Sequence, residues 1–434
     1  PLERGPGVCF LLGKLFNYGY LALTRRSKLT DKDKLILRDL AKSYLDVCNK
    51  SEQQERRKRW RAHNSFKGDR PLIYIRAYAW HEMPQSACQC EDPLARGYEN
   101  FFRSHLFWDT FKDDSIFEPW ITVGASHKGG GWGVGAKRIS PNVSGGACKL
   151  DYPIKELDDI NKLRVSRHEI DEERTTANVQ RLHDIFGDVI TINLDRGPAY
   201  RMWGADISTD LGHLRGIEHF MLDMSDNPKW LHQMVSFMSE GILKAHDEAE
   251  KAGDWGLCDH QNQAMPYAEE LEVPAPNHNG VKRSQIWGYM AAQEFALVSP
   301  AMHNEFLLQY QIPILSKFGL SAYGCCEDLT NKIDMLRQIP NLRRIGVSPF
   351  ADVAKCAEQI GRDYIFSYRP SPADMVSYGF DPDRIRRILK RDLEASKHCH
   401  VDITLKDVET VQGDPDRIRK WVVLARQVID EVYG

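Results

Sequence analysis

The sequence predicts an α/β protein, a (β/α)8 TIM barrel with a helical N-terminal extension, on three observations. Short β-rich runs alternate with helical stretches along most of the chain, as they do where helices cover parallel strands. About eight such units match the size of a closed barrel better than that of an open sheet. No G-x-G-x-x-G opens a helix after an early strand, so nothing points to a dinucleotide-binding open sheet.

Composition bounds the function. The 434 residues carry 58 Lys+Arg against 61 Asp+Glu, a formal net charge of −3, which argues against a dedicated nucleic-acid binder. Hydrophobic residues make up 42% and charged residues 27%, so the chain can bury a large core. No run approaches the roughly 18 apolar residues of a membrane span. The ten cysteines follow no regular spacing and no signal peptide is read, so reduced, mostly buried thiols in a cytoplasmic protein are expected. The adjacent Cys325 and Cys326 are the exception.

In chain order, residues 1–29 are an apolar, aromatic arm of open role, too short and interrupted to span a membrane. Residues 30–68 are the helical extension. Thr30 caps an amphipathic helix in TDKDKLILRDLAKSYLDVCN, and SEQQERRKRWRAHNSF continues as a charged helix whose ERRKR run reads as a solvated face. Residues 69–434 hold the barrel. Its strand runs are PLIYIRAY (71–78), PWITVGAS (119–126), VITINLD (189–195), HFMLDM (219–224), DWGLCDH (254–260), LSAYGCC (320–326), LRRIGVS (342–348), YIFSYRP (364–370) and VDITLKD (401–407). Helical stretches include 171–186, 228–252, 300–318, 329–338, 351–361, 382–397 and 414–431. GGGWGVG (129–135) reads as a flexible loop over the mouth rather than a phosphate cradle, and the long loop 260–284 as a lid.

Active sites of such barrels lie at the C-terminal strand ends. There the sequence places Trp80, His81, Asp195, Arg196, Asp259, His260, Cys325, Cys326, Glu327, Tyr368, Arg369, Lys406 and Asp407. A Cys-Cys-Glu cluster suits zinc, which takes thiolate, imidazole and carboxylate and keeps one open position when catalytic. Residues two apart on a strand face one side, so Cys325 and Glu327 can converge, with Cys258, Asp259 or His260 as a third ligand. Two packing thiols beside a solvated Glu327 is the alternative. His398-Cys399-His400 precedes its strand and reads as a helix-end feature at the opposite face.

Asp195-Arg196 can orient a polar substrate or form an internal salt bridge. Arg369 can bind a carboxylate or phosphate through its fork of donors, or pair with a helix end. Lys406 and Asp407 can be a general acid/base pair or a structural ion pair. Gln293-Glu294 falls in an expected helix, YMAAQEFALVS, facing outward. Tyr78, Trp80, Tyr200, Trp203, Trp287, Tyr323 and Tyr368 can stack on an aromatic methoxy compound or a methylated cation, with core packing the alternative.

The segments AMHNEFLLQYQIPILSKFGLSAYGCCEDLTNKIDMLRQIPNLRRIGVSPFADV, YIFSYRPSPAD and VDITLKDVETVQGDPDRIRKW resemble the uroporphyrinogen decarboxylase superfamily, and within it the corrinoid-linked methyltransferases and demethylases. The resemblance covers roughly residues 30–434. It is most specific in the order Ser299-Pro300, Gly324-Cys325-Cys326-Glu327 and Lys406-Asp407. It implies the barrel fold, and a methyltransferase that takes a methyl group from a small methylated substrate to a corrinoid held by a separate protein. Two departures stand out. Decarboxylases of the superfamily carry Arg-Gln-Ala-Gly-Arg-Tyr after the first strand, where this chain has RAYAWHEMP, which disfavours tetrapyrrole decarboxylation. Thiol-methylating relatives bind zinc through His-x-Cys and a later Cys. Here Gly324-Cys325-Cys326 stands at the first position and no Cys lies near ITLKD, so zinc would draw on Cys325 or Cys326, Glu327, and Asp259 or His260.

The expected function is therefore methyl transfer from a methoxylated aromatic or methylated amine to a corrinoid protein, with a zinc Lewis acid or a positioned acid activating the leaving atom. The alternatives are a metal-independent decarboxylase or lyase using Arg369, Arg196 and Lys406 on carboxylates, or a catalytically silent barrel that binds a partner. A homodimeric assembly is allowed.

Overall fold

A computed structural model describes residues 29–139, 149–165 and 167–434, so residues 1–28 of the N-terminal arm lie outside the described residues. The strands are β1 (Leu72–Ile75), β2 (Trp120–Gly124), β3 (Lys137–Ile139), β4 (Lys149–Asp151), β5 (Thr191–Asp195), β6 (Trp287–Met290), β7 (Leu320–Tyr323), β8 (Leu342–Val347), β9 (Ile365–Tyr368) and β10 (His400–Leu405). The helices are α1 (Asp31–Cys48), α2 (Ser51–Asn64), α3 (Pro93–Trp108), α4 (Glu172–Phe186), α5 (Ser208–Leu214), α6 (Ile217–Asp226), α7 (Pro228–Ala252), α8 (Pro300–His303), α9 (Gln309–Leu315), α10 (Ile333–Leu336), α11 (Val353–Ile360), α12 (Pro382–Ser396) and α13 (Arg417–Tyr433).

Six strands form one parallel sheet in the order β1-β10-β9-β8-β7-β6. β2 and β5 form a separate parallel pair, and β3 and β4 an antiparallel hairpin inserted between them in sequence. The fold is thus α/β with a six-stranded parallel sheet, and among the described residues no strand ladder closes it into the expected barrel.

Loop groups, most of them side chains, satisfy the strand edges that no neighbouring strand pairs. On the open edge of β1, the N–H groups of Ile73 and Ile75 donate to the carboxylates of Asp114 and Asp113, both at 2.8 Å. On β5, Asn277 accepts from Leu194 N–H at 3.0 Å through Oδ1 and donates from Nδ2 to Ile192 O at 2.9 Å. On β6, Gln261 N–H donates to Trp287 O at 3.2 Å. Every buried edge group needs such a partner, and a carboxylate or amide supplies one where no strand fits.

Three sequence expectations are corrected. HFMLDM lies in α6, because Phe220 and Met224 recur at helical spacing and are buried on one face. Residues 254–260 form turns with a single bridge from Gly256 to Asn279 rather than a strand. WGYM, whose last two residues open the expected helix YMAAQEFALVS, is β6. It is buried at all four residues and so shows none of the alternation that marks a half-buried strand.

The N-terminal helices behave as the caps predict. Thr30 Oγ1 accepts from Asp33 N–H at 3.1 Å while the Asp33 carboxylate accepts from Thr30 N–H at 3.3 Å, a reciprocal capping box. α2 then lies under the N-terminal strand ends. Trp60 donates to Asp114 O at 2.7 Å, and Asn64 Oδ1 accepts from Arg344 at 2.7 Å. The loop 260–284, for which a lid is expected, meets this same end. Asn64 donates to Met265 O and Tyr267 O at 2.9 and 2.7 Å, and Ser65 Oγ accepts from Glu269 N–H at 2.8 Å. The glycine-rich run 129–135 is anchored by Trp132, buried, which donates to Asp210 at 2.7 Å. No helix among the described residues is long and apolar enough to cross a membrane.

Candidate active site

At the C-terminal ends of three strands of the six-stranded sheet the chain gathers its most concentrated chemistry. β7 leads into Gly324, Cys325, Cys326 and Glu327, β9 into Arg369, and β10 into Lys406 and Asp407. Gly324 makes the turn with φ of 96°, and a Cβ there would stand 2.6 Å from Leu329 Cδ1, so only glycine fits.

The Lys406 ammonium organises the cluster. It donates to Cys325 Sγ at 3.1 Å and Cys326 Sγ at 3.0 Å, and pairs with the Asp407 carboxylate at 2.8 Å. The two sulfurs are 3.6 Å apart. Burial alone would lower the Lys406 pKa, but electrostatic attraction to the Cys325, Asp407 and Cys326 side chains holds it above the ordinary lysine value, so it stays an ammonium. Cys325 and Lys406 are 0% and 2% exposed, whereas Cys326 and Asp407 are half-buried and form the outward side of the cluster. Asp407 has φ of 57°, a left-handed conformation that Asp adopts more readily than most side chains.

Arg369 acts from behind. It donates to Gly324 O at 2.9 Å and Cys325 O at 2.6 Å, fixing the turn that presents the thiols. Its guanidinium lies on Gly346, where a Cβ would be 2.7 Å from Cζ. Gly346→Ala is therefore expected to displace the guanidinium from both carbonyls and to cost about 1–3 kcal/mol, read as a lower urea midpoint. A midpoint equal to wild type would show that Arg369 yields freely. Glu327 turns away from the thiols: its carboxylate accepts from Ala292 N–H and Cys325 N–H, both at 2.8 Å. Burial, then the neighbouring Cys325, pushes its pKa up.

An aromatic and thioether wall covers the thiols. Cys325 packs with Tyr289, Ala291 and Ala322, and Met202 and Trp203 lie against the same group together with Cys326. Trp203 meets Tyr289 edge-on, 5.4 Å between centroids at 83°. The segment carrying Met202 and Trp203 is fastened by Arg201, which donates to Asp195 and Asp259, each at 2.6 Å. Burial and the nearby Asp195 raise the pKa of Asp259, while Arg201 holds Asp195 below its usual range against the effect of burial. Gly197 leaves room for this clamp, since a Cβ there would be 2.8 Å from the Arg201 guanidinium.

The other expected site residues lie elsewhere. Arg196 is spent on Asp254 and Glu172, at 2.5 and 2.6 Å. Trp80 donates to Asn100 at 2.6 Å and packs on Tyr78 and Phe107, and His81 is exposed on the following turn. Tyr323 donates to Gln311 at 2.7 Å and Tyr368 to Asp392, so both point into the helix layer. Trp287 begins β6 at the opposite end and donates to Pro266 O at 2.7 Å. His260 accepts from Trp287 N–H at 3.2 Å, and burial lowers its pKa to about 3.

The expected zinc donors therefore do not converge. Asp259 is held by Arg201, His260 lies against β6, Glu327 is occupied by two N–H groups, and an ammonium sits between the sulfurs. Among the described residues no group of three His, Cys, Asp or Glu side chains is placed to hold a metal ion. The residues the sequence reading missed are Met202, Tyr289 and the Arg201 clamp. Alternation along β6 would have turned Tyr289 inward had WGYM been read as a strand.

No protein-family model matches the chain, and no curated protein matches its sequence.

Proposed function

We propose that the chain is a methyltransferase on a (β/α)8 barrel that removes the methyl group of a methoxylated aromatic and passes it to the corrinoid of a separate partner protein. A six-stranded parallel sheet and a second parallel pair, β2 and β5, joined by covering helices, are compatible with such a barrel. The observation that carries the reading is Lys406 held at 3.0 Å from the half-buried Cys326 sulfur at the C-terminal strand ends.

Breaking an aryl methyl ether leaves the C–O electron pair on oxygen, and a proton delivered there lowers the barrier. Cys326 S–H supplies that proton, and the thiolate left behind is stabilised by Lys406 before it regains a proton from solvent. The corrinoid is a co-substrate and accepts the methyl group. Trp203, half-buried and backed by Tyr289, provides aromatic surface for the ring. The fixed cation Lys406 favours a leaving oxyanion over a methylated ammonium ion. Decarboxylase or lyase chemistry has less support, because Arg196 is ion-paired and Arg369 is committed to two carbonyls.

The test supplies free reduced cobalamin in excess as methyl acceptor, with methoxybenzoates in one arm and methylated amines in the other. Release of the phenol in the first arm alone is expected. Release of amine alone, or no turnover in either arm, overturns the reading.

A further inference from the structure

The acid role needs one thiol, and the site holds two. Cys325 lies behind Cys326, fully buried, with the sulfurs 3.6 Å apart and one ammonium serving both. An S–S bond is about 2.05 Å long, so closure asks for a movement of roughly 1.5 Å at the two side-chain tips, together with a twist of the peptide between them, because adjacent Cα atoms at about 3.8 Å lie closer than those of an unstrained disulfide. A cation on a sulfur raises the fraction of the thiol that is ionised at any moment, and the thiolate is the form that peroxides oxidise. Four other thiols are poorer targets: burial is the leading cause that pushes Cys48, Cys258 and Cys399 to about 12 and Cys356 to about 11.

We propose that Cys325 and Cys326 are a peroxide-sensitive dithiol that closes to a vicinal disulfide and so switches the site off. The Cys326 thiolate attacks a hydroperoxide, the O–O bond breaks, and sulfur takes up one oxygen as sulfenic acid while the rest leaves as water or alcohol after protonation. The Cys325 thiol then displaces that oxygen as water, forming the S–S bond, so two electrons in all pass from the pair to the peroxide. The product carries no thiol proton and no negative charge. Lys406 keeps Asp407 as its partner, and a thiol reductant restores both sulfurs. The oxidation does not depend on the methyl-transfer reading, and only the resulting loss of turnover does.

The experiment treats the purified full chain with hydrogen peroxide, blocks thiols with iodoacetamide and maps tryptic peptides by mass spectrometry. The peptide of residues 318–332 contains both cysteines. It is expected to become lighter by two hydrogens and resistant to alkylation, ahead of the peptides with Cys48, Cys356 and Cys399, and to recover with dithiothreitol. In Cys325→Ser the reaction is expected to stop at sulfenic acid on Cys326, trapped by dimedone. Lys406→Met is expected to slow oxidation, by about threefold for each pKa unit the thiol regains, because the loss of thiolate is partly offset by its greater nucleophilicity, with Lys406→Arg closer to wild type. Oxidation of all cysteines at one rate, overoxidation without the two-hydrogen loss, or no dimedone adduct in Cys325→Ser overturns the proposal. Because the readout is mass, a failed turnover assay and a failed disulfide are told apart.

Discussion

Asp402→Ala is expected to destabilise the protein by about 3–5 kcal/mol, because it removes the counter-charge of a buried guanidinium. Asp402 lies inside the sheet on β10 and is fully buried. One carboxylate oxygen accepts from Arg344 and from His63 Nε2 at 3.2 Å, and the other from Ser367 at 2.9 Å and Thr404 at 3.2 Å. Burial lowers the His63 pKa, so His63 meets Asp402 as a neutral donor and Arg344 bears the positive charge. Burial would raise the Asp402 pKa, but the Arg344 charge and the bonds from His63 and Ser367 hold it well below the usual range. Its folded value is thus depressed. The stabilisation is fully present above the unfolded carboxylate value of about 4 and is lost as pH falls through the lower folded value. Urea midpoints of Asp402→Ala and wild type should therefore differ most at neutral pH and converge in strong acid. An unchanged midpoint at neutral pH would refute the network's role.

Cys326→Ser and Lys406→Met are each expected to lower kcat for demethylation by about 10²–10⁴, some 3–5 kcal/mol of transition-state stabilisation. Serine is a far weaker acid than a thiol, so Cys326→Ser retains the shape and loses the proton donor. Lys406→Met leaves the thiol but removes the charge that stabilises the thiolate as it forms. Both act at the transition state, so kcat and kcat/KM should fall together with KM nearly unchanged. Lys406→Arg should recover part of the loss. Wild-type kcat in Lys406→Met would remove Lys406 from the chemistry.

Local signals in the sequence were legible where they are self-contained. The capping pair Thr30 and Asp33 marked α1 from two residues, and β7 to β10 stood out as apolar runs before polar strand ends. What depends on parity was not. Tyr323 and Tyr368 sit one residue away from the inward-facing positions of their strands, so they point to helices, while Tyr289 on the unread β6 points inward. The Cys-Cys-Glu run was visible, but its surroundings were not. Lys406 lies 80 positions from Cys326, and Glu327 is taken up by the N–H of Ala292, 35 positions away. The two-apart rule that paired Cys325 with Glu327 applies to strands, and β7 has already ended at Tyr323.

β10 sits between β1 and β9, and its Asp402 reaches His63 across 339 positions. During synthesis β1 and α2 leave the ribosome long before their partner exists. At 5–20 residues per second, the sheet waits roughly 20–70 s for its last strand. Over that interval the edge of β1 and the inward face of α2 remain available to wrong partners. The nascent chain is accordingly expected to lean on chaperones until its final strand arrives, and a stop codon before residue 400 should yield an aggregating fragment rather than a smaller folded protein.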